Sequence, residues 1–214
     1  ILRCLVGSEM CIRDSVDCSY NLIKTANLSG CISLKQLYAN VNEIGALNLK
    51  ECANLQLVQA YKNKLTACDV SGMSKLVYLD VSQNQLTTLN ISNCSEMLIV
   101  NCGSNKLAAL DLSGLEKLTS LGCYNNNLTT LDTSKLPEMS FLECYANSLT
   151  TLDLTTYYDQ DYDGAISPEE ALRVTELYLG FDEEDEEAVP ITSLKGIESV
   201  SYTHLRAHET SQDL

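Results

Sequence analysis

Asp159, Asp161 and Asp163 place three carboxylates at alternate positions, with Gly164 directly after them. Ala165, Ser167 and Glu170 follow within the same short span. This spacing suits a hard cation such as calcium. Asp159, Asp161 and Asp163 surround the ion, Ala165 offers its backbone carbonyl, Ser167 acts directly or through water, and Glu170 closes the site with both oxygens. Gly164 permits the sharp turn between them. Four carboxylates this close repel one another when empty, so a bound cation also relieves a folding cost. The rest of the chain offers little other chemistry. His204 and His208 are the only histidines, and both lie near the carboxyl end. No Ser-His or Cys-His nucleophile can therefore be built in the body of the chain, and an enzyme is not expected.

The segment 159–170 fits D-x-[DN]-x-[DN]-G-x₅-E at every required position and resembles an EF-hand calcium loop. One short helix is expected to leave it. Ser167 can cap that helix, Pro168 fits its first position, and Glu169 and Glu170 fit its first turn. The entering helix of a full EF-hand is missing, because 152–155 reads as the end of another pattern. Farther on, the acids of 182–187 have no ordered spacing and read as a solvated loop.

That other pattern is a strict repeat of 21 residues. With Leu34 as position 1, position 9 is Asn in all seven copies: Asn21, Asn42, Asn63, Asn84, Asn105, Asn126 and Asn147. Position 4 is always aliphatic, from Val16 through Leu37, Val58, Leu79, Val100 and Leu121 to Leu142. Position 11 is Ile or Leu throughout, and position 15 is Asp or Asn. One copy cannot bury its apolar side alone, whereas stacked copies share a continuous core. The Asn at position 9 can donate and accept inside a tight turn, and its expected role is structural.

The unit L-x-x-L-x-C-x-x-N-x-L, as in 118–128, resembles the leucine-rich repeat. The second half, L-T-x-L-D-L-S-G, resembles the Cys-containing repeats of internalin-like bacterial cell-surface proteins. The resemblance implies a leucine-rich-repeat solenoid. A parallel β-sheet lines its concave face, and short extended and turn segments form its convex face. The expected layout is the solenoid over 16–158, the calcium loop plus helix over 159–180, and the start of a second repeat segment over 181–199. Residues 1–15 and 200–214 break the pattern and resemble translated sequencing-adapter read-through. If they are foreign, the natural protein extends further on both sides.

Of ten cysteines, Cys18, Cys102, Cys123 and Cys144 occupy position 6, Cys31, Cys52 and Cys94 position 19, and Cys68 position 14. These are inward positions, so buried thiols acting as small apolar side chains are expected rather than disulfides. Charge is uneven. Residues 16–158 carry 12 acids and 9 bases, whereas 159–187 carry 12 acids and one base. With 14 Lys+Arg against 29 Asp+Glu overall, a basic nucleic-acid-binding face is not expected. No apolar stretch is long enough to span a membrane.

Positions 3, 5 and 7 point outward if position 4 points inward. They carry Tyr61, Tyr78, Ile99, Tyr124, Phe141 and Tyr145. These large side chains either bind a partner or serve cross-strand packing, and the sequence leaves both open. The resulting expectation is a non-enzymatic module that binds a protein or glycan on the concave face. A structural calcium site and an extracellular or cell-surface setting complete it. A dockerin-like assembly module and an accessory binding region of a larger enzyme are the alternatives.

Overall fold

Position 4 of each repeat sits at the centre of a three-residue strand and is buried, while the residues on either side of it face away from the core. The structure, a computed structural model, describes residues 13–153 together with the strands Glu176–Tyr178 and Ser193–Lys195. Eight strands form one parallel sheet: β1 (Ser15–Asp17), β3 (Gln36–Tyr38), β5 (Leu57–Gln59), β7 (Tyr78–Asp80), β9 (Ile99–Asn101), β10 (Ser120–Gly122), β11 (Phe141–Glu143) and β13 (Glu176–Tyr178). From β1 to β11 each residue pairs with the one 21 positions on, as in Val58 with Leu79. The repeat length in the sequence is therefore the strand register.

A second strand opens the other side of several turns. β2 (Thr25–Asn27) pairs with β4 (Ala46–Asn48), β6 (Ala67–Asp69) with β8 (Thr88–Asn90), and β12 (Thr151–Asp153) with β14 (Ser193–Lys195), all parallel. Extended and turn segments fill the remainder, and the described residues contain no helix. Phe141 pairs with Glu176, 35 residues on rather than 21, so the register resumes after 14 additional residues. Of the expected calcium loop and helix over 159–180, only 176–178 lies among the described residues, and it is the strand β13.

Between the two sides runs one continuous core. Leu34, Leu55, Leu76, Met97 and Leu118 stack at position 1, with Ile44, Leu65, Leu86, Leu107 and Leu128 at position 11, and all are essentially inaccessible. Burying each such side chain contributes about 1.5–3 kcal/mol, and no single turn could do it without its neighbours.

The strands end at a turn that the composition does not announce. Position 8 adopts a left-handed backbone in all seven turns, with φ between 50° and 56° at Tyr20, Val41, Lys62, Gln83, Ser104, Asn125 and Ala146. None is glycine, and Val41 is β-branched. Such a conformation costs roughly 1–2 kcal/mol for an L-residue. Its return is in hydrogen bonds along the stack. The carbonyls of Val41, Lys62, Ser104, Asn125 and Ala146 each accept from the Asn N–H of the preceding turn, as in Asn42 to Lys62 O (3.2 Å) and Asn105 to Asn125 O (3.1 Å).

The Asn side chain at position 9 locks this turn. In Asn63, Nδ2 donates to Ala60 O (3.1 Å) and Tyr61 O (3.3 Å) of its own turn and to Ala39 O (2.9 Å) of the turn before. Its Oδ1 accepts from Ile44 N (3.0 Å), also in the turn before. The same four contacts recur at Asn42, Asn84, Asn105, Asn126 and Asn147. Among the described residues Asn21 contacts its own turn, at Cys18 O and Ser19 O. The structural role expected of these residues is what the geometry shows.

The cysteines add a smaller version of the same device. Cys68, Cys94, Cys102, Cys123 and Cys144 are buried thiols without disulfides. Burial pushes Cys68, Cys102 and Cys144 up to about 12, so they stay protonated near neutrality. The purely apolar reading is incomplete at position 19. Cys52 Sγ donates to Leu28 O (3.0 Å) and Cys94 Sγ to Val70 O (3.1 Å), each 24 residues back, the interval the Asn side chains also use. Among the described residues no helix is long and apolar enough to cross a membrane.

Replacing Asn63 with Ala strands buried carbonyls and the Ile44 N–H without partners. Each such group costs about 1–3 kcal/mol. Asn63→Ala should therefore lose at least about 2 kcal/mol of stability in urea unfolding. A loss under about 0.5 kcal/mol would mean that water replaces the amide freely.

Candidate functional site

The outward face of the eight-stranded sheet is built from positions 3, 5 and 7. Their side chains are brought side by side by the 21-residue register. Tyr78 lies opposite Leu57 on one flank and Ile99 on the other. Ile99 lies opposite Ser120, and Ser120 opposite Phe141. Ile99 is 36% exposed, and Tyr61, Tyr78, Tyr124, Phe141 and Tyr145 are half-buried. The six expected partner-binding residues thus share one face but form three groups. Tyr78 adjoins Ile99, Phe141 is set off by Ser120, and the position 7 tyrosines make their own arrangements.

Tyr124 and Tyr145 stack with ring centroids 5.0 Å apart and planes 11° from parallel. The Tyr124 ring also lies against Gly103, where an added Cβ would run into it. At Gly122, an added Cβ would sit 3.1 Å from Asn101 Oδ1 and 3.5 Å from Glu143 Oε2. The two glycines make room for these neighbouring side chains. Tyr61, on the other side, hydrogen bonds to the hydroxyl of Tyr20, which is 74% exposed. That bond, burial, and the charges around it raise the Tyr61 phenol above its ordinary value.

Asp80 lies at the middle of this face, opposite Gln59 and Asn101. It keeps only 9% of its surface exposed. Its Oδ1 accepts from Ser82 N (3.0 Å) and Ser82 Oγ (2.7 Å). Burial raises its carboxyl above the usual carboxylate range, and the Ser82 bonds offset this in part. Its charge reaches three phenols. Burial first and then Asp80 raise Tyr78, whereas a bond from Gln59 lowers it. Burial, then Glu143, then Asp80 raise Tyr124, and a bond from Asn101 opposes them. In Tyr61 the Asp80 contribution comes after Tyr20 and burial.

The amides beside Asp80 are engaged elsewhere. Gln59 Oε1 accepts from Asn40 Nδ2 (3.2 Å), and its amide serves Tyr78. Asn101 Oδ1 accepts from Gly103 N (3.1 Å), and its amide serves Tyr124. Asn40, 6% exposed, has an Oδ1 with no partner among the described residues. The sequence places Asp80 on the outward side. It does not announce the burial, which comes from large side chains on neighbouring strands. The roles of Gly103 and Gly122 are likewise visible only once Tyr124 and Asn101 are in place.

Two open depressions, of about 780 and 440 Å³, lie beside Arg13, Lys35 and Asn54, and along Leu47–Ala53 with Asp69–Met73. Among the described residues no group of three or more His, Cys, Asp or Glu is placed to hold a metal ion. The expected calcium ligands Asp159, Asp161, Asp163, Ala165, Ser167 and Glu170 lie outside the described residues, as do His204 and His208.

Two solved bacterial leucine-rich-repeat proteins share this architecture. A leucine-rich-repeat protein of Leptospira interrogans superposes with a TM-score of 0.59 at 21% identity, covering 78% of this chain and 42% of its own. The functional domain of InlJ from Listeria monocytogenes, which includes a cysteine ladder, superposes with a TM-score of 0.53 at 23% identity. That match covers 88% of this chain and 50% of the Listeria chain. The present chain therefore spans half or less of the length of either. No protein-family model matches the sequence, and neither does any curated protein. The fold is a leucine-rich-repeat solenoid, a parallel β-solenoid with turns of about 21 residues and cysteines in its core.

Gly103 tests the aromatic arrangement. Gly103→Ala should push Tyr124 off its stack with Tyr145 and abolish the coupled tyrosine signal in circular dichroism. The expected loss of stability is about 1 kcal/mol, the worth of such a pair. An unchanged tyrosine signal would show that the ring tolerates the methyl group in place.

Proposed function

We propose that the chain is a non-enzymatic protein-recognition module of a bacterial surface or secreted leucine-rich-repeat protein, with a structural calcium site beside the solenoid. The observation that carries this is the outward sheet face. Tyr61, Tyr78, Ile99, Tyr124 and Tyr145 remain accessible there on a backbone held by parallel pairing. Aromatic side chains lose little entropy when they bind and dominate many interfaces. A broad sheet face suits a macromolecule.

Asp159, Asp161, Asp163, Ala165, Ser167 and Glu170 would hold the calcium, since carboxylate, carbonyl and hydroxyl oxygens are its preferred donors. The ion would neutralise the acidic segment between β12 and β13. Millimolar calcium outside cells suits a weak extracellular site and supports the surface or secreted setting.

Two experiments test this reading. In calorimetry, calcium should give a binding heat with the intact chain, and Asp159→Ala with Glu170→Gln should abolish it. The melting temperature should rise with calcium only in the unsubstituted chain. A chain that binds no calcium rules the site out. For recognition, proteins captured by the immobilised chain are identified and the strongest is purified. Tyr78→Ser with Ile99→Ser should weaken its binding at least tenfold, as loss of a central aromatic anchor does. A shift of melting with unchanged affinity would assign the row to sheet packing alone.

A further inference from the structure

We infer that Asp80 anchors a recognition site for a lysine side chain presented by the partner protein. The inference rests on the face being a binding surface and specifies what that surface selects. Asp80 is a carboxylate with nine-tenths of its surface covered, yet among the described residues it has no basic partner. Positions 3, 5 and 7 of the seven turns contain no Lys, Arg or His, whereas Asp17, Asp80 and Glu143 all lie there. A largely covered carboxylate that is hydrogen bonded but not ion-paired is less favourable to the fold than one facing a cation. Bringing in a cation from outside would remove that cost on binding.

The hydrogen-bond pattern leaves one opening. Ser82 occupies Oδ1 of Asp80 with both its N–H and its hydroxyl. Gln59 and Asn101, the amides on either flank, donate to Tyr78 and Tyr124 instead. The second carboxylate oxygen receives no donor from the described side chains. One available oxygen suits a compact ammonium group. The planar fork of arginine gains its advantage from both oxygens of a carboxylate. Tyr61, Tyr78 and Tyr124, whose phenols feel the Asp80 charge, can flank the lysine stem and favour its charge. Glu143, whose charge also reaches Tyr124, adds to the negative potential.

The test is a nuclear magnetic resonance titration of the full chain with Nα-acetyl-lysine methylamide. Saturable shifts should centre on the Ser82 amide and the Asp80 carboxyl carbon. The ε-acetylated probe should produce none, and the arginine analogue should bind at least threefold more weakly. Asp80→Asn should keep the melting temperature at or above that of the parent chain, because it removes a covered charge, and should weaken lysine binding at least tenfold. Should that variant fail to fold, the parent chain still decides the matter. Saturating lysine probe must move the titration of the Asp80 carboxyl to lower pH, and an unmoved titration overturns the inference. So does equal binding by Asp80→Asn, or an arginine probe that binds as tightly as lysine. A captured partner that loses affinity with Tyr78→Ser and Ile99→Ser but binds Asp80→Asn unchanged would overturn the lysine site and leave the face as a binding surface. A partner insensitive to both changes would remove the face itself.

Discussion

Everything in this molecule hangs on a side-chain amide that completes a backbone turn. The solenoid must reverse direction at the end of every strand, and it does so through a left-handed residue that is never glycine. That conformation is unfavourable by itself. It persists because the following Asn fills four hydrogen-bonding roles at once, two of them to the preceding turn. Local strain and long-range cohesion are thus settled by one group. Asp would lack the donors and Ser the reach, which is why the position admits so little variation along the chain.

Much of this was legible before any coordinates. An invariant Asn at a fixed interval, with aliphatic residues at constant offsets, dictates stacking because no single turn has a core. The 21-residue interval then reappears as strand register. The left-handed position was not legible. Tyr20, Val41, Lys62 and Ala146 share no chemistry that would announce it, since the conformation is imposed by the neighbouring Asn. The thiol hydrogen bonds of Cys52 and Cys94 were hidden for a similar reason. A thiol passes for an apolar side chain until the carbonyl 24 residues back is in view.

The outward face shows where alternation stops being informative. Period-two reasoning identifies which side chains leave the core, and it places Tyr61, Tyr78, Ile99, Tyr124, Phe141 and Tyr145 correctly on one side. It says nothing about how they then lean on one another. Tyr124 lies over Gly103 and against Tyr145, and the charge of Asp80 is covered although it sits on the solvent side of the sheet. Selectivity on such a surface comes from these second-order contacts, which depend on the sizes of residues 21 and 42 positions away.

The amide bonds of each turn reach only its immediate predecessor, and this gives the array a mechanical character. Tension applied at the ends does not load the interior evenly. It falls on whichever terminal turn is exposed, and that turn must give up its strand pairing and its Asn contacts together before the next one feels the force. A chain built this way yields as a ratchet, one detachment at a time. The turns not yet released keep their geometry and the outward face they carry. Gradual yielding of this kind absorbs a pull that would unfold a single-core domain in one event.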